Sequence, residues 1–313
     1  MKRTLIYEIE PESAGLTVGQ YLEELGCSRN VISRLKTSPA GLCVDGTEVF
    51  SSYRLTAGET LTICLPEEET PQAFAPEPMD LNLVYEDEDL LVVNKASGVP
   101  VHPSPGHYTG TLANGMAWYF IQKGEPFVYR AVNRLDRDTT GLLILARNQL
   151  SASILSSMGE KRLIRREYLA IAKGKVPEEG IIDAPIARKE GSILERIVSP
   201  GGETARTRYR TLLYRPSLDL SLVSLRLETG RTHQIRVHMA HIGHPLPGDF
   251  LYCPDFSVIR RQALHSHALT FPHPITKKEL HFEAPLPDDM QFILSGVSLP
   301  ATAGGAGLWG SGF

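Results

Sequence analysis

The stretch Val132–Asn148, VNRLDRDTTGLLILARN, decides how the chain is read. Leu142–Ala146 is an apolar run of core-strand type, and just before it a carboxylate, Asp136, stands between Arg134 and Arg137. Nearby positive charge favours the ionised form of an acid, so Asp136 is expected to be charged. Thr139, Thr140 and Gly141 suit a tight turn that would expose it. A fixed, ionised carboxylate can serve as nucleophile, as general base, or simply as a salt-bridge anchor for the loop.

Working outward, VYRAVNRL (128–135) and GLLILAR (141–147) read as strands on either side of that turn. LNLVYEDEDLLVVNKASG (81–98) suggests two strands around an acidic turn, and QLSASILSSMGEKRLI (149–164) a helix. REYLAIAKG, ARTRYRTLLY and LSLVSLRLETG read as strands. THQIRVHMAHIG reads as a helix whose Ile235, Met239 and Ile242 face the core. The order of elements is α+β, not a regular alternation of strand and helix.

PEEETPQAFAPEPMD, Pro66–Asp80, breaks the pattern and is expected to link a small unit, 1–65, to a larger one, 81–292. Few contacts should cross such a linker, so the larger unit is expected to fold without the smaller. In the small unit TVGQYLEELG is a short helix ending at Gly26, and Ser28 caps a second one, SRNVISRLK. Asp45-Gly46 suits the tight turn of a hairpin, and LTICLP closes as a strand. The second helix carries Arg29, Arg34 and Lys36. The Gly/Ala-rich end, 293–313, reads as a frayed tail.

Hydrophobic residues make up 42% and charged residues 22% of the 313 residues, the balance of a soluble globular chain with ample core. No apolar run reaches the roughly 18–20 residues of a membrane span. The early acidic residues argue against a signal peptide. Cys27, Cys43, Cys64 and Cys253 form no CxxC pair and read as free thiols of a reducing cytoplasm. A net charge of −4 weighs mildly against a nucleic-acid partner. It hides an asymmetry, however: acids crowd Glu67–Asp89, whereas bases crowd Arg130–Arg236.

Two further constellations stand out. LETGRTHQIRVHMAHIGHPLPGD holds His233, His238, His241 and His244. Helical spacing would let several share a face, yet the acid partner of a metal site is missing, so core or capping roles are preferred and no metal is expected. Arg231 and Arg236 are expected to point toward an anionic group. Tyr168, beside Arg166, is either a core aromatic of its strand or a platform for a base.

Several motifs in order resemble the RluA/RluD-type pseudouridine synthases: NKASGVPVHP, NRLDRDTTGLLILARN, REYLAIAKG, TARTRYR, TGRTHQIRVHMAHIGHPLPGDFLYC and HALTFPHPITKKELHFEAPLP. The similarity covers about Leu81–Pro287. Residues Thr17–Leu65 resemble the alpha-L RNA-binding motif. The resemblance implies a mixed, mostly antiparallel sheet of pseudouridine synthase type, preceded by a small α+β RNA-binding domain. It implies a catalytic Asp136 within the R-L-D of Arg134, Leu135 and Asp136, an active-site Tyr168, and Arg236 as the cation paired with the catalytic carboxylate. Arg134, Leu135, Arg231, Arg29, Arg34 and Lys36 are then the expected RNA-contacting residues.

Many members have His where this chain has Asn133, which is expected to alter loop hydrogen bonding and not activity. The implied reaction isomerises uridine in structured RNA, large-subunit ribosomal RNA first and transfer RNA second. It uses no cofactor, and a cytoplasmic monomer is expected. The competing readings are a non-catalytic RNA-binding or ribosome-assembly protein and a metal-dependent hydrolase built on the histidines.

Overall fold

The computed structural model describes residues 3–66, 75–104 and 108–295. The chain forms two compact units, Met1–Arg166 with Ala268–Ala284, and Glu167–His267 with the segment from Pro285 onward.

The first unit opens with β1 (Arg3–Glu8), α1 (Val18–Glu24), α2 (Arg29–Thr37), β2 (Leu42–Val44), β3 (Thr47–Glu48) and β4 (Thr60–Leu65). The strands form a sheet in the order β1-β4-β2-β3. Local chemistry sets the boundaries. Thr17 and Gln20 make a reciprocal cap on α1, and the Ser28 hydroxyl accepts from the Val31 N–H to start α2. Asp45 and Gly46, both at positive φ, turn the β2–β3 hairpin.

Residues 3–65 do not stand apart. Val31, Ile32 and Leu35 of α2 share one apolar core with Leu142 and Ile144 of the strand β7 (Thr140–Ala146) and with Leu150, Ile154 and Leu155 of α4 (Gln149–Glu160). The Ser28 N–H donates to Ser153 Oγ at 2.6 Å, and that hydroxyl donates to the Gly26 carbonyl. Arg3 reaches from β1 to Glu88 and Asp89. The expected boundary at the proline-rich stretch is therefore corrected: contacts divide at Arg166/Glu167.

Of the expected linker, residues 67–74 lie outside the described residues. Its later part is tied to a helix the sequence patterns did not suggest, α3 (Leu112–Lys123). The Glu77 N–H donates to the Asn114 carbonyl, and Asn114 Nδ2 donates to the Ala75 carbonyl.

Between them run β5 (Asn82–Glu86) and β6 (Leu90–Lys95), antiparallel to each other, with β6 antiparallel to β7 in the register Leu90–Ala146 to Lys95–Gly141. Every residue of β7 is buried. The expected strand at 128–135 is reduced to a single bridge, Ala131 to Leu145. The reason is local: the Asn133 side-chain carbonyl accepts the Ile144 N–H, and the ladder stops there.

The second unit holds β8 (Arg165–Lys173, from Glu167 on), β9 (Glu179–Asp183), β10 (Ile186–Arg188), β11 (Arg196–Val198), β12 (Arg206–Arg215), β13 (Leu220–Leu227) and α5 (Gln234–His241). All pairings among β8, β13, β12 and β9 are antiparallel, and β10 and β11 form a separate hairpin. The hairpin of β14 (Leu264–Pro272) and β15 (Glu279–Glu283) pairs Ala268 with Glu283 in the first unit. α6 (Asp288–Ser295) buries Met290 and Ile293 against Ile171 and Leu220, so the ordered fold runs past the expected boundary at 292. Residues 296–313 of the expected tail lie outside the described residues. The result is a mixed α+β protein with mostly antiparallel sheets. No helix among the described residues is long and apolar enough to cross a membrane.

Candidate active site

The loop between the Ala131 bridge and β7 is held from several sides. Leu135 is buried at 8% exposure and anchors it. The Thr139 N–H closes a turn on the Asp136 carbonyl at 3.1 Å. Thr139 and Thr140 are buried, and Gly141, at φ 110°, takes a backbone that favours glycine where the loop enters β7. From the end of β6 the Lys95 ammonium, 2% exposed, donates to the carbonyls of Ala96 and Arg137, each at 2.8 Å. A buried ammonium is costly unless its donors are satisfied, so this contact both spends and fixes the Lys95 charge. Asp136 is half-buried on this turn and Arg134 is exposed.

Arg137 forms a fork with its neighbour Asp138, Nε at 3.1 Å from Oδ1 and Nη2 at 2.9 Å from Oδ2. Asn133 Oδ1 is satisfied by Ile144, whereas its buried Nδ2 has no hydrogen-bond partner among the described residues.

Tyr168, Arg231 and Arg236 lie in the second unit. Tyr168 is 4% exposed on β8, opposite Leu225 of β13. Arg236 is 2% exposed on α5. Its Nε and Nη2 grip Asp249 in a two-pronged ion pair at 2.6 and 2.7 Å, and the guanidinium lies over the rings of Tyr252 and Phe250. Asp249 is fully buried and also accepts the N–H groups of Leu251 and Tyr252. Every donor and acceptor in such an arrangement restrains the guanidinium plane.

Sequence reading missed Asp249, although GHPLPGD was in view; nothing in the spacing announces which acid meets which arginine. Arg231, expected to face an anion, is ion-paired with Glu203 and donates to the Thr204 carbonyl at 3.1 Å. Gln234 shapes the segment before α5 by accepting from the Arg231 N–H and the Thr229 hydroxyl, while its amide donates to the Arg206 carbonyl.

Three histidines of the same stretch, His233, His238 and His244, have structural partners. His238 is fully buried between the Thr207 hydroxyl and the Ala184 carbonyl, and burial lowers its pKa. His244 Nδ1 lies 2.8 Å from the Lys173 carbonyl. The one group with metal-like spacing among the described residues is Asp87, Asp89 and His273. It works as a hydrogen-bonded knot: Asp87 accepts from His273 Nε2 and the Tyr85 hydroxyl, and Asp89 from Arg3, Asn148 and Ser151. Burial would raise the Asp87 pKa, but the His273, Tyr85 and backbone donors outweigh it and hold the carboxyl well below its ordinary range. The acidic turn thus serves the protein's own donors.

Several bases of the crowded stretch Arg130–Arg236 are likewise paired, including Arg165 with Glu279, Arg208 with Glu228 and Lys189 with Glu195. Arg34 bonds Gln149 of α4. Arg29 and Lys36 are exposed on α2 and have no ion pair among the described residues.

The family described as RNA pseudouridylate synthase matches residues 89–241. The RNA pseudouridine synthase YjbO of Bacillus subtilis is 42% identical over 282 residues, 90% of this chain and 99% of that one. The ribosomal large subunit pseudouridine synthase D of Haemophilus influenzae is 38% identical over 312 residues, covering 94% and 95%. Among solved structures, human RNA pseudouridylate synthase domain containing 1 aligns at 27% identity with a TM-score of 0.55, covering 67% of this chain and 86% of that one. The fold is thus that of an RNA isomerase. The chain belongs to the RluA/RluD-type RNA pseudouridine synthases, which convert uridine in RNA to pseudouridine.

Proposed function

We propose that this enzyme isomerises uridines of large-subunit ribosomal RNA, with Asp136 as the catalytic carboxylate. The reaction breaks the bond between uracil N1 and the ribose, turns the base, and rejoins it through C5. The C5 proton is lost and N1 gains one, so the product is an isomer and no oxidant or energy source enters. Asp136 acts at the ribose as nucleophile or as base. The observation that carries the assignment is the turn: a half-buried carboxylate borne on a backbone turn that the Lys95 and Thr139 hydrogen bonds and buried Leu135 fix, beside the exposed Arg134. Fixing the reacting group beforehand removes much of the entropic barrier.

Tyr168 packs against the uracil in this reading, and Arg236, oriented by Asp249, supplies the active-site cation. Arg134 takes a phosphate of the displaced nucleotide. Extruding a base from structured RNA costs a few kcal/mol, which basic contacts offset by gripping phosphates. Arg29, Arg34 and Lys36 supply such contacts from α2, in keeping with the alpha-L motif that segment resembles. Arg231 adds another near Glu203. The protein works as a monomer in the cytoplasm.

The substrate assignment is supported by relatives named for the ribosomal large subunit. Pseudouridine mapping of cellular RNA with and without the gene tests it. Loss of one or a few modified positions in large-subunit RNA is the expected result; loss confined to transfer RNA would replace that substrate with the second one.

A further inference from the structure

Beside the catalytic turn lies a histidine that no role above uses. His102 is exposed, but the backbone carrying it is fixed. Val101 is 4% exposed, and its carbonyl accepts the Tyr129 hydroxyl at 2.8 Å. The preceding Pro100 carbonyl accepts the Leu112 N–H at the start of α3. The His102 ring stands edge-on to Tyr129, centroids 5.1 Å apart at 83°. Tyr129 packs in turn on Phe127, which is stacked at 4.0 Å on Phe120 of α3. A row of aromatic rings thus runs from the core to the surface and ends in one exposed imidazole.

The charge of Arg134 reaches that imidazole and, after burial of part of the ring, is the second influence lowering its pKa. An exposed imidazole within reach of the exposed Arg134 charge sets a π-face near a phosphate ligand. Stacking on aromatic rings is how proteins hold unpaired RNA bases.

We propose that His102 is a nucleobase-contacting residue, stacking on a nucleotide beside the target uridine while Arg134 binds the phosphate of that nucleotide. The inference rests on the role given to Arg134 above. Stacking requires a flat ring and tolerates any base, so His102 contributes affinity and placement, not sequence choice. Its neighbours explain why the ring is held: a freely rotating side chain would lose more entropy on meeting RNA.

The test compares wild type, His102→Ala, His102→Phe and His102→Leu by tritium release from RNA labelled at uridine C5. The RNA is taken from cells lacking the gene, so it contains the natural target whatever its class. Failure of the ribosomal assignment therefore leaves this experiment intact and shows only in which RNA fraction releases tritium. Alanine should lower kcat/KM about tenfold to thirtyfold with an unchanged Tm, since the ring is exposed. Phenylalanine should recover most of the loss, and leucine should not. Alanine at the wild-type kcat/KM, or leucine performing as well as phenylalanine, would overturn the proposal.

Discussion

Asp249→Asn is the most informative change in the second unit. The substitution keeps size and one carbonyl acceptor but removes the charge that faces Arg236. Both side chains of the pair are essentially dry, at 2% and 0% exposure, so the charge attraction across it would be lost where water cannot replace it. Breaking a buried pair from one side costs about 3–5 kcal/mol. Asparagine Oδ1 can still accept the Leu251 and Tyr252 N–H groups, which favours the lower end. At about 2–4 °C per kcal/mol for a chain of this size, the melting temperature should fall by roughly 6–12 °C.

A smaller fall is expected for Arg236→Lys, which keeps the charge but loses the two-pronged grip. Below the melting transition, Asp249→Asn should still slow single turnover, because Arg236 is no longer held in plane. Differential scanning calorimetry and a quench assay on the same preparation give both numbers. A melting temperature within about 1 °C of wild type would refute the claim that this pair organises α5 and its surroundings.

Lys95→Met should loosen the Asp136 turn and lower the single-turnover rate by about tenfold or more while RNA affinity changes little, as expected for lost positioning; equal losses in both would point to an RNA contact instead. Removal of residues 1–65 should yield an aggregating or molten chain, because Leu150, Ile154 and Leu155 lose their apolar partners. A sharp, cooperative melt from that truncation would restore the independent domain that the sequence suggested. The lowered Asp87 pKa stabilises the fold above the unfolded carboxylate value of about 4, and that contribution is lost as pH falls below it toward the folded value. Asp87→Asn should therefore be less stable than wild type at pH 7, with the gap narrowing as pH falls from about 4 toward 2; a constant gap in urea melts across that range would show the knot to be pH-independent.

What was legible in the sequence was mostly local. The Leu142–Ala146 run, the Ser28 cap and the Asp45-Gly46 turn each depend on residues within a few positions of one another, and each formed as read. α3 was not legible because LANGMAWYFIQK buries most of its first turns and shows no clear polar face. The strand expected at 128–135 failed because one side chain, Asn133, took a ladder donor. That exchange depends on where β7 lies.

The split at Pro66–Asp80 misled because proline content reports chain stiffness, not whether the flanking surfaces share a core. Within the site, the Asp136 turn could be seen from its residue types. The ion pairs of Arg137 with Asp138 and of Arg236 with Asp249 could not, being set by turn and helix geometry.

The central claim is that the carboxylate on this turn performs the isomerisation. Asp136→Asn tests it most directly, in a single-turnover assay of pseudouridine formation on unmodified large-subunit RNA, alongside a melt and an RNA-binding titration. The account predicts no pseudouridine above a small residual rate, with melting temperature and RNA affinity close to wild type. A variant that folds, binds RNA and still forms pseudouridine at a rate comparable to wild type would contradict it.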